Sequence, residues 1–334
     1  MSSRWEQELQ TAVEAVVAAA AVCRLVQSEL ASTALEKNDR SPVTVADFAA
    51  QALICRALRS AFPQDPIIAE EDAADLGDPA NAPFAERIVE FVRRAGVAAD
   101  LDDVRQWIDL GDAARSTGRV WALDPVDGTK GFLRGEQYAV ALGLIVDGRL
   151  RVAVLACPNL PERLATEKAA AGRLFGATED GPAWTAPLSA PRRRATIRVS
   201  STPRPQDARF CESVESGHSS HELAARIARL LGITRPPVRL DSQAKYAVVA
   251  RGEADIYLRL PVRRDYREKI WDHAAGTLIV ERAGGRVSDV EGRPLDFSRG
   301  PRLDGNRGVV VTNGALHDAV ITAVRRVMRE SHSG

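Results

Sequence analysis

The stretch that decides the reading of this chain is WALDPVDGTKGF, residues 121–132. An apolar run leads into Asp124, then Pro125 and Val126, then Asp127, Gly128 and Thr129. Pro125 fixes its own φ, and Gly128 allows a backbone turn that other residues resist. Such a turn can aim two carboxylates and an intervening backbone carbonyl at one point. Hard cations such as magnesium or calcium are held in that way, by oxygen ligands alone. Asp, Pro and Gly also favour plain surface turns. The emergence of this hexapeptide from an apolar strand favours the metal reading instead.

Two acidic sites could complete the constellation. Glu70, Glu71 and Asp72 follow the short apolar run 67–69, read as a strand that delivers carboxylates at its C-terminal end. Buried charge there is costly unless paired or metal-bound, although an acidic cluster taken alone reads more readily as a solvated loop. Trp271, Asp272 and His273 open an expected helix, where Asp272 could simply be a favourable N-terminal charge. Each gains weight only beside the aspartate turn.

Outward from these sites, helices are expected over the first thirty residues, with apolar positions at mixed three and four spacing, and over 43–60, with Asp47 in or near its first turn. The segment 78–112 reads as polar and irregular, with a helix near 84–94. Strands are expected at 119–123, 138–146 and 150–155, the last two joined by Asp147-Gly148-Arg149, a strong hairpin signal. The proline-rich stretch TAPLSAPRRRA (185–195) lacks an apolar pattern and reads as a boundary, dividing the chain into 1–190 and 191–334. Beyond it, strands at 196–199, 238–240, 256–260 and 308–311 alternate with helices at 221–231, 243–251, 271–283 and 315–329. That alternation indicates a layered α/β half after an α+β half.

Composition narrows the chemistry. A chain of 334 residues exceeds what one core supports. Lys plus Arg and Asp plus Glu balance at 45 each, so a nucleic-acid polymer is not an expected partner. Cys23, Cys55, Cys157 and Cys211 are widely spaced and read as reduced thiols. The N-terminus does not read as a secretory signal, and the alanine-rich run 11–25 is interrupted by Glu14 and Arg24 and reads as too short to span a bilayer. A cytoplasmic protein without a membrane partner is expected. No GxxxxGK[ST], GxSxG or HExxH motif occurs.

The order Glu70–Glu71, Asp124-Pro-Val-Asp-Gly-Thr129, Trp271–Asp272 resembles the lithium-sensitive phosphatases of the inositol monophosphatase superfamily. SPVTVAD (41–47), DPVDGTKGFLRGEQYAV (124–140), GHSSH (217–221), LDSQAKY (240–246), YLRLP (257–261) and EKIWDHAAG (268–276) narrow the resemblance to the 3′(2′),5′-bisphosphate nucleotidases. The likeness runs from about residue 4 to 327 and is weakest over 78–118.

This resemblance implies a layered αβαβα sandwich of the inositol monophosphatase/fructose-bisphosphatase type. It implies two or three magnesium ions on Glu70, Asp124, Asp127, Asp272 and the Val126 carbonyl. A carboxylate-rich site suits magnesium over zinc. Asp47 and Thr129 would form a hydrogen-bonded pair that activates the attacking water. Thr129, His218, Ser242, Lys245, Arg259 and Asp272 would contact the substrate. The implied reaction is hydrolysis of the 3′-phosphate of adenosine 3′,5′-bisphosphate to AMP, with 3′-phosphoadenosine 5′-phosphosulfate as a further substrate, carried out by a monomer. An inositol phosphate or fructose-1,6-bisphosphate phosphatase on the same scaffold is the enzymatic alternative, against which LDSQAKY and YLRLP speak. A silent nucleotide-binding protein is the other, against which the intact Asp47–Thr129 pair speaks.

Overall fold

A computed structural model describes residues 4–32, 42–113, 118–165, 172–214, 221–261 and 266–330. The chain opens with helices α1 (Glu6–Ser32) and α2 (Pro42–Ala61), then strand β1 (Ile67–Ala69) and helices α3 (Ala82–Arg94) and α4 (Leu101–Asp109). β2 (Arg119–Asp127), the short helix α5 (Thr129–Leu133), β3 (Ala139–Val146), β4 (Arg149–Cys157), β5 (Arg173–Thr178), β6 (Trp184–Pro187) and β7 (Ala195–Thr196) follow. The rest comprises β8 (Phe210–Glu212), α6 (His221–Leu230), β9 (Val238–Arg239), α7 (Ala244–Ala250), β10 (Ile256–Arg259), α8 (Ala274–Arg282), β11 (Arg286–Ser288), β12 (Val309–Thr312) and α9 (His317–Glu330).

Strands β1 to β7 form one seven-stranded sheet in sequence order, and β11-β12-β10-β8-β9 form a second of five strands. Strand alternation sorts the side chains into three apolar layers. Val140, Leu142 and Leu144 of β3 pack with Val16, Ala19, Ala46 and Ile54 of α1 and α2. Ala139 and Ala141, on the opposite face, join α7, α8 and Val309 and Val311 of β12. Val310 turns the other way, towards Ile227 of α6 and Val324 of α9. The five layers are therefore helix, sheet, helix, sheet, helix, the sandwich that the resemblance implies.

Local details follow from named residues. Asp147 (φ 52°) and Gly148 (φ 72°) make the tight turn between β3 and β4, as Asp-Gly predicts. The segment expected to be irregular holds α4, whose Asp100 and Asp103 cap each other's backbone in a capping box. The stretch expected as an unpatterned boundary instead carries β6 and β7, so the first sheet extends past residue 190. Gly176 permits this: a side chain there would meet the Trp184 ring at 2.4 Å. Only Thr196 of the expected strand 196–199 is in a strand, while the three-residue strands β8 and β11 carried too little pattern to be anticipated.

Helix α1 is longer than its alanine-rich run suggests. Among the described residues it is the one helix long and apolar enough to cross a membrane, over Glu6–Glu29. Its Ala12, Val16, Ala19 and Cys23 are nonetheless fully buried against the neighbouring elements of the fold.

His317, buried at the start of α9, bonds Thr312 Oγ1 through Nδ1 (3.0 Å) and Ser288 Oγ through Nε2 (2.9 Å). Burial, with Arg286 nearby, pushes its pKa down to about 4. The unfolded chain therefore takes up a proton near pH 6.5 that the folded protein refuses, so the contribution of this group to stability falls as pH drops from there towards 4. The loss attributable to this group is on the order of 3 kcal/mol. Urea unfolding at pH 7 and pH 4.5 should show the change in stability on acidification to be more favourable for His317→Gln than for wild type; equal changes would exclude the imidazole as a contributor.

Candidate active site

The site begins at a fault in β2. Its pairing with β3 shifts register between Asp124 and Asp127. Pro125 cannot donate to a ladder and is tolerated at such a bulge. Gly128 then takes φ 91°, which starts α5 at Thr129. Asp124, Val126, Asp127 and Thr129 consequently line one cleft of about 570 Å3, together with Glu70 from the end of β1. Ser242, Lys245, Arg259 and Asp272 line the same cleft from the second half of the chain. His218 lies outside the described residues.

Asp47 is buried in the second turn of α2, behind the acidic cluster. One turn further along, Gln51 clamps the backbone of Glu71: its Nε2 donates to the carbonyl (2.6 Å) and its Oε1 accepts from the N–H (3.1 Å). That bond pair holds Glu70 against α2. Among the described residues no direct hydrogen bond joins Asp47 to Thr129. Catalytic hydrogen bonds often close only once substrate is bound.

The electrostatics are those of crowded carboxylates. Burial raises Glu70 to about 8, with Asp272, Glu71 and Asp127 adding to it. Asp127 rises to about 6, through burial and Asp272, against the pull of Lys245 and Arg259. Burial and then Glu70 drive Asp124 well above the carboxylate range. Burial does the same to Asp47, with Glu71 and Glu70 contributing. Asp124 Oδ1 is buried and has no hydrogen-bond partner among the described residues. Buried acceptors are almost always satisfied. An orphaned carboxylate oxygen among like charges fits a cation, and an all-oxygen donor set fits a hard one.

The two chain halves are locked together at the cleft by a residue the motif reading did not single out. The Gln243 N–H donates to Asp127 Oδ2 (2.5 Å). Its side-chain Nε2 donates to the Trp271 carbonyl (3.0 Å), and its Oε1 accepts from the Gly276 N–H (3.2 Å). Three motifs thus meet at one residue, through its backbone and its side chain. Ser242, next to it, takes φ 65°, a conformation that a non-glycine residue adopts at a cost of order 1–3 kcal/mol. A side chain on Gly128 would sit 2.8 Å from the Ser242 Cβ, so the close approach requires glycine.

The cations are not free point charges. Lys245 is buried, donates to the Leu240 carbonyl (3.3 Å) and lies over the Tyr257 ring (5.3 Å). Burial lowers its pKa, against the pull of Asp127. Arg259 is ion-paired to Glu268 (2.7 Å) and Asp272 (3.0 Å). Burial disfavours its charge, but Asp272 and Glu268 hold its pKa well above normal. Glu268, Asp272 and His273 place ligand atoms within 4.8 Å of one another. The Arg259 guanidinium already pairs with both carboxylates there. Asp272 also precedes α8 rather than opening it, in a turn whose last residue, His273, is the N-cap.

The sequence and the architecture each have known counterparts. The inositol monophosphatase family model matches residues 4–329. A 3′(2′),5′-bisphosphate nucleotidase of Emericella nidulans is 46% identical over 97% of this chain and 99% of its own length. Another from Schizosaccharomyces pombe is 41% identical over 91% of this chain and 89% of its own. An inositol monophosphatase structure from Thermotoga maritima superposes with a TM-score of 0.64 at 20% identity, covering 97% of this chain and 98% of that one, and so attests the fold. This chain therefore belongs to the inositol monophosphatase family, among its 3′(2′),5′-bisphosphate nucleotidases.

Proposed function

We propose that this protein hydrolyses the 3′-phosphate of adenosine 3′,5′-bisphosphate to AMP and inorganic phosphate, and acts likewise on 3′-phosphoadenosine 5′-phosphosulfate. The observation that carries this reading is a single cleft with two chemistries. Glu70, Asp124, Asp127 and Asp272 supply carboxylate oxygens, and Lys245 and Arg259, from the half of the chain that also contributes Asp272, supply positive charge. A substrate with two anionic groups fits that division. The nucleotidase relatives support the same class.

In this reading Glu70, Asp124, Asp127, Asp272 and the Val126 carbonyl hold two or three magnesium ions. Bound magnesium supplies charge neutralisation on the phosphoryl oxygens and lowers the pKa of the attacking water. Thr129 orients that water and Asp47 takes its proton. The new bond forms between water oxygen and phosphorus, and the bond to the ribose 3′-oxygen breaks in line with it, the oxygen leaving to be protonated. Ser242, with Thr129, His218, Lys245, Arg259 and Asp272, holds the nucleotide. We further propose that the acidic half, to residue 190, carries most of the metal ligands, with Asp272 joining from the half from 191, which carries most of the nucleotide recognition. The acting species is a cytoplasmic monomer without membrane or nucleic-acid polymer partners.

A phosphate-release panel tests the substrate. With magnesium present, kcat/KM for adenosine 3′,5′-bisphosphate should exceed that for 3′-AMP by roughly 10²-fold, since engaging a second charge in a desolvated site is typically worth about 2–5 kcal/mol, and should also exceed that for an inositol bisphosphate and for fructose 1,6-bisphosphate. Equal or faster turnover of a sugar phosphate would overturn the nucleotide assignment.

A further inference from the structure

Behind Arg259 runs a buried chain of polar groups that no motif reading assigns. The Tyr246 hydroxyl and His273 Nδ1 lie 2.7 Å apart, and His273 Nε2 lies 3.1 Å from Glu268 Oε2. The same Glu268 oxygen pairs with Arg259 Nε at 2.7 Å. Tyr246, Glu268 and His273 are all buried. A carboxylate oxygen only accepts, so His273 Nε2 carries the proton that faces Glu268. The other face of the guanidinium is engaged differently. Arg259 Nη2 donates to Asp272 Oδ2 (3.0 Å) and to the Tyr266 hydroxyl (3.3 Å), while Nη1 donates to no described residue. Arg259 and Tyr266 both line the cleft.

We propose that Glu268, held by His273 and Tyr246, is the positioning residue that presents Arg259 to the phosphate that is not cleaved. This rests on the nucleotidase reading above and deepens it. The physical reason is a conflict over Asp272. That carboxylate is claimed by the cation site and by Arg259 together. A guanidinium tethered through Asp272 alone would follow that carboxylate to the scissile phosphate. Glu268 gives Arg259 a second anchor outside the cation site, and pairing at Nε leaves the Nη1 edge available for an anion. Glu268 needs its own restraint, because a buried carboxylate is costly unless its oxygens are fully engaged. His273 supplies that restraint, and Tyr246 fixes the imidazole, packed so closely that a side chain on Gly276 would meet the Tyr246 ring at 2.3 Å.

Glu268→Gln keeps the shape and removes the charge. Outer partners of a binding group typically contribute about 10–100-fold. The variant should raise KM for adenosine 3′,5′-bisphosphate by roughly 10-fold or more. It should leave kcat, and kcat/KM for 3′-AMP, within about two-fold of wild type, an expected split between binding and chemistry. AMP, which keeps only the 5′-phosphate, should lose affinity by the same factor in calorimetry, whereas adenosine should bind as before. Tyr246→Phe should act in the same direction but less strongly, and it carries the test if Glu268→Gln fails to fold. Equal losses on 3′-AMP and the bisphosphate, a loss confined to kcat, or no change would each overturn the proposal. The wild-type panel judges the nucleotidase reading separately; if another bisphosphate is preferred, the same split is read on that substrate and its monophosphate.

Discussion

Asp124→Asn should abolish phosphate release while the protein stays folded, with kcat/KM falling by roughly 10³-fold or more, because the oxygen ligand lost stabilises charge in the transition state by several kcal/mol. The prediction comes from the position of this side chain. Asp124 is 1% exposed, its Oδ1 is orphaned, and Glu70, Asp127, Asp272 and Asp47 all raise its pKa further. Removing one negative charge from that group should relieve the metal-free protein. Glu70 (about 8) and Asp127 (about 6) hold protons in the folded state that the unfolded chain releases near the ordinary carboxylate value of about 4. The folded state therefore binds more protons across that interval, and the stability of the metal-free protein declines as pH rises from about 4 to 8. Melting of chelator-treated wild type should accordingly be lower at pH 8 than at pH 5, with the difference reduced in Asp124→Asn. Added magnesium should raise the melting temperature of wild type at pH 8 far more than that of the variant. Near-normal turnover by Asp124→Asn, or magnesium-independent melting of wild type, would refute the cation assignment.

Replacing Asp47 by Asn, or Thr129 by Val, should lower kcat by about 10²- to 10⁴-fold with KM changed much less, the range expected when a proton acceptor or its relay is removed. Their placement supports chemistry over binding. Asp47 sits buried on α2, behind the carboxylates and outside the cleft lining, whereas Thr129 lines the cleft at the first position of α5. Neither pairs with Lys245 or Arg259. Steady-state kinetics on adenosine 3′,5′-bisphosphate decide the point. A Thr129→Val enzyme that keeps kcat but loses substrate affinity would assign the hydroxyl to binding instead. Asp47→Asn should also leave calorimetric AMP affinity unchanged, since the product no longer carries the phosphate under attack.

The parts of the site legible in the sequence are those whose chemistry is local. Asp124-Pro-Val-Asp-Gly-Thr announces itself because the proline, the glycine and the two carboxylates that shape the turn are all neighbours in the chain. The bulge in β2 and the left-handed Gly128 are the backbone form of that same information. The Asp147-Gly148 hairpin and the long amphipathic helices were readable for the same reason. By contrast, nothing local to Gln51, Gln243, Glu268, His273 and Tyr246 tells what each of them contacts, even where the segment itself carries the resemblance. Gln51 matters because α2 passes the end of β1, and Gln243 because α7 starts where β2 ends its bulge. Helix α4 escaped notice because its apolar face is only two buried residues wide, Val104 and Ile108.

By itself the sequence determined the residue types at the aspartate turn, the shape of that turn and the alternation of elements that indicates a layered half. Each of these depends on residues a few positions apart, where backbone preference and side-chain periodicity act directly. Only the tertiary structure decided how the charges are shared. Arg259 could be read as a phosphate ligand from YLRLP, yet its ion pairs to Glu268 and Asp272 arise from a chain crossing between β10 and the turn before α8. Asp272 likewise became one member of a partly buried charge network rather than a helix-terminal carboxylate. Coulomb energy in a desolvated cleft depends on distances of a few ångströms between segments far apart in sequence, and no spacing along the chain encodes those distances.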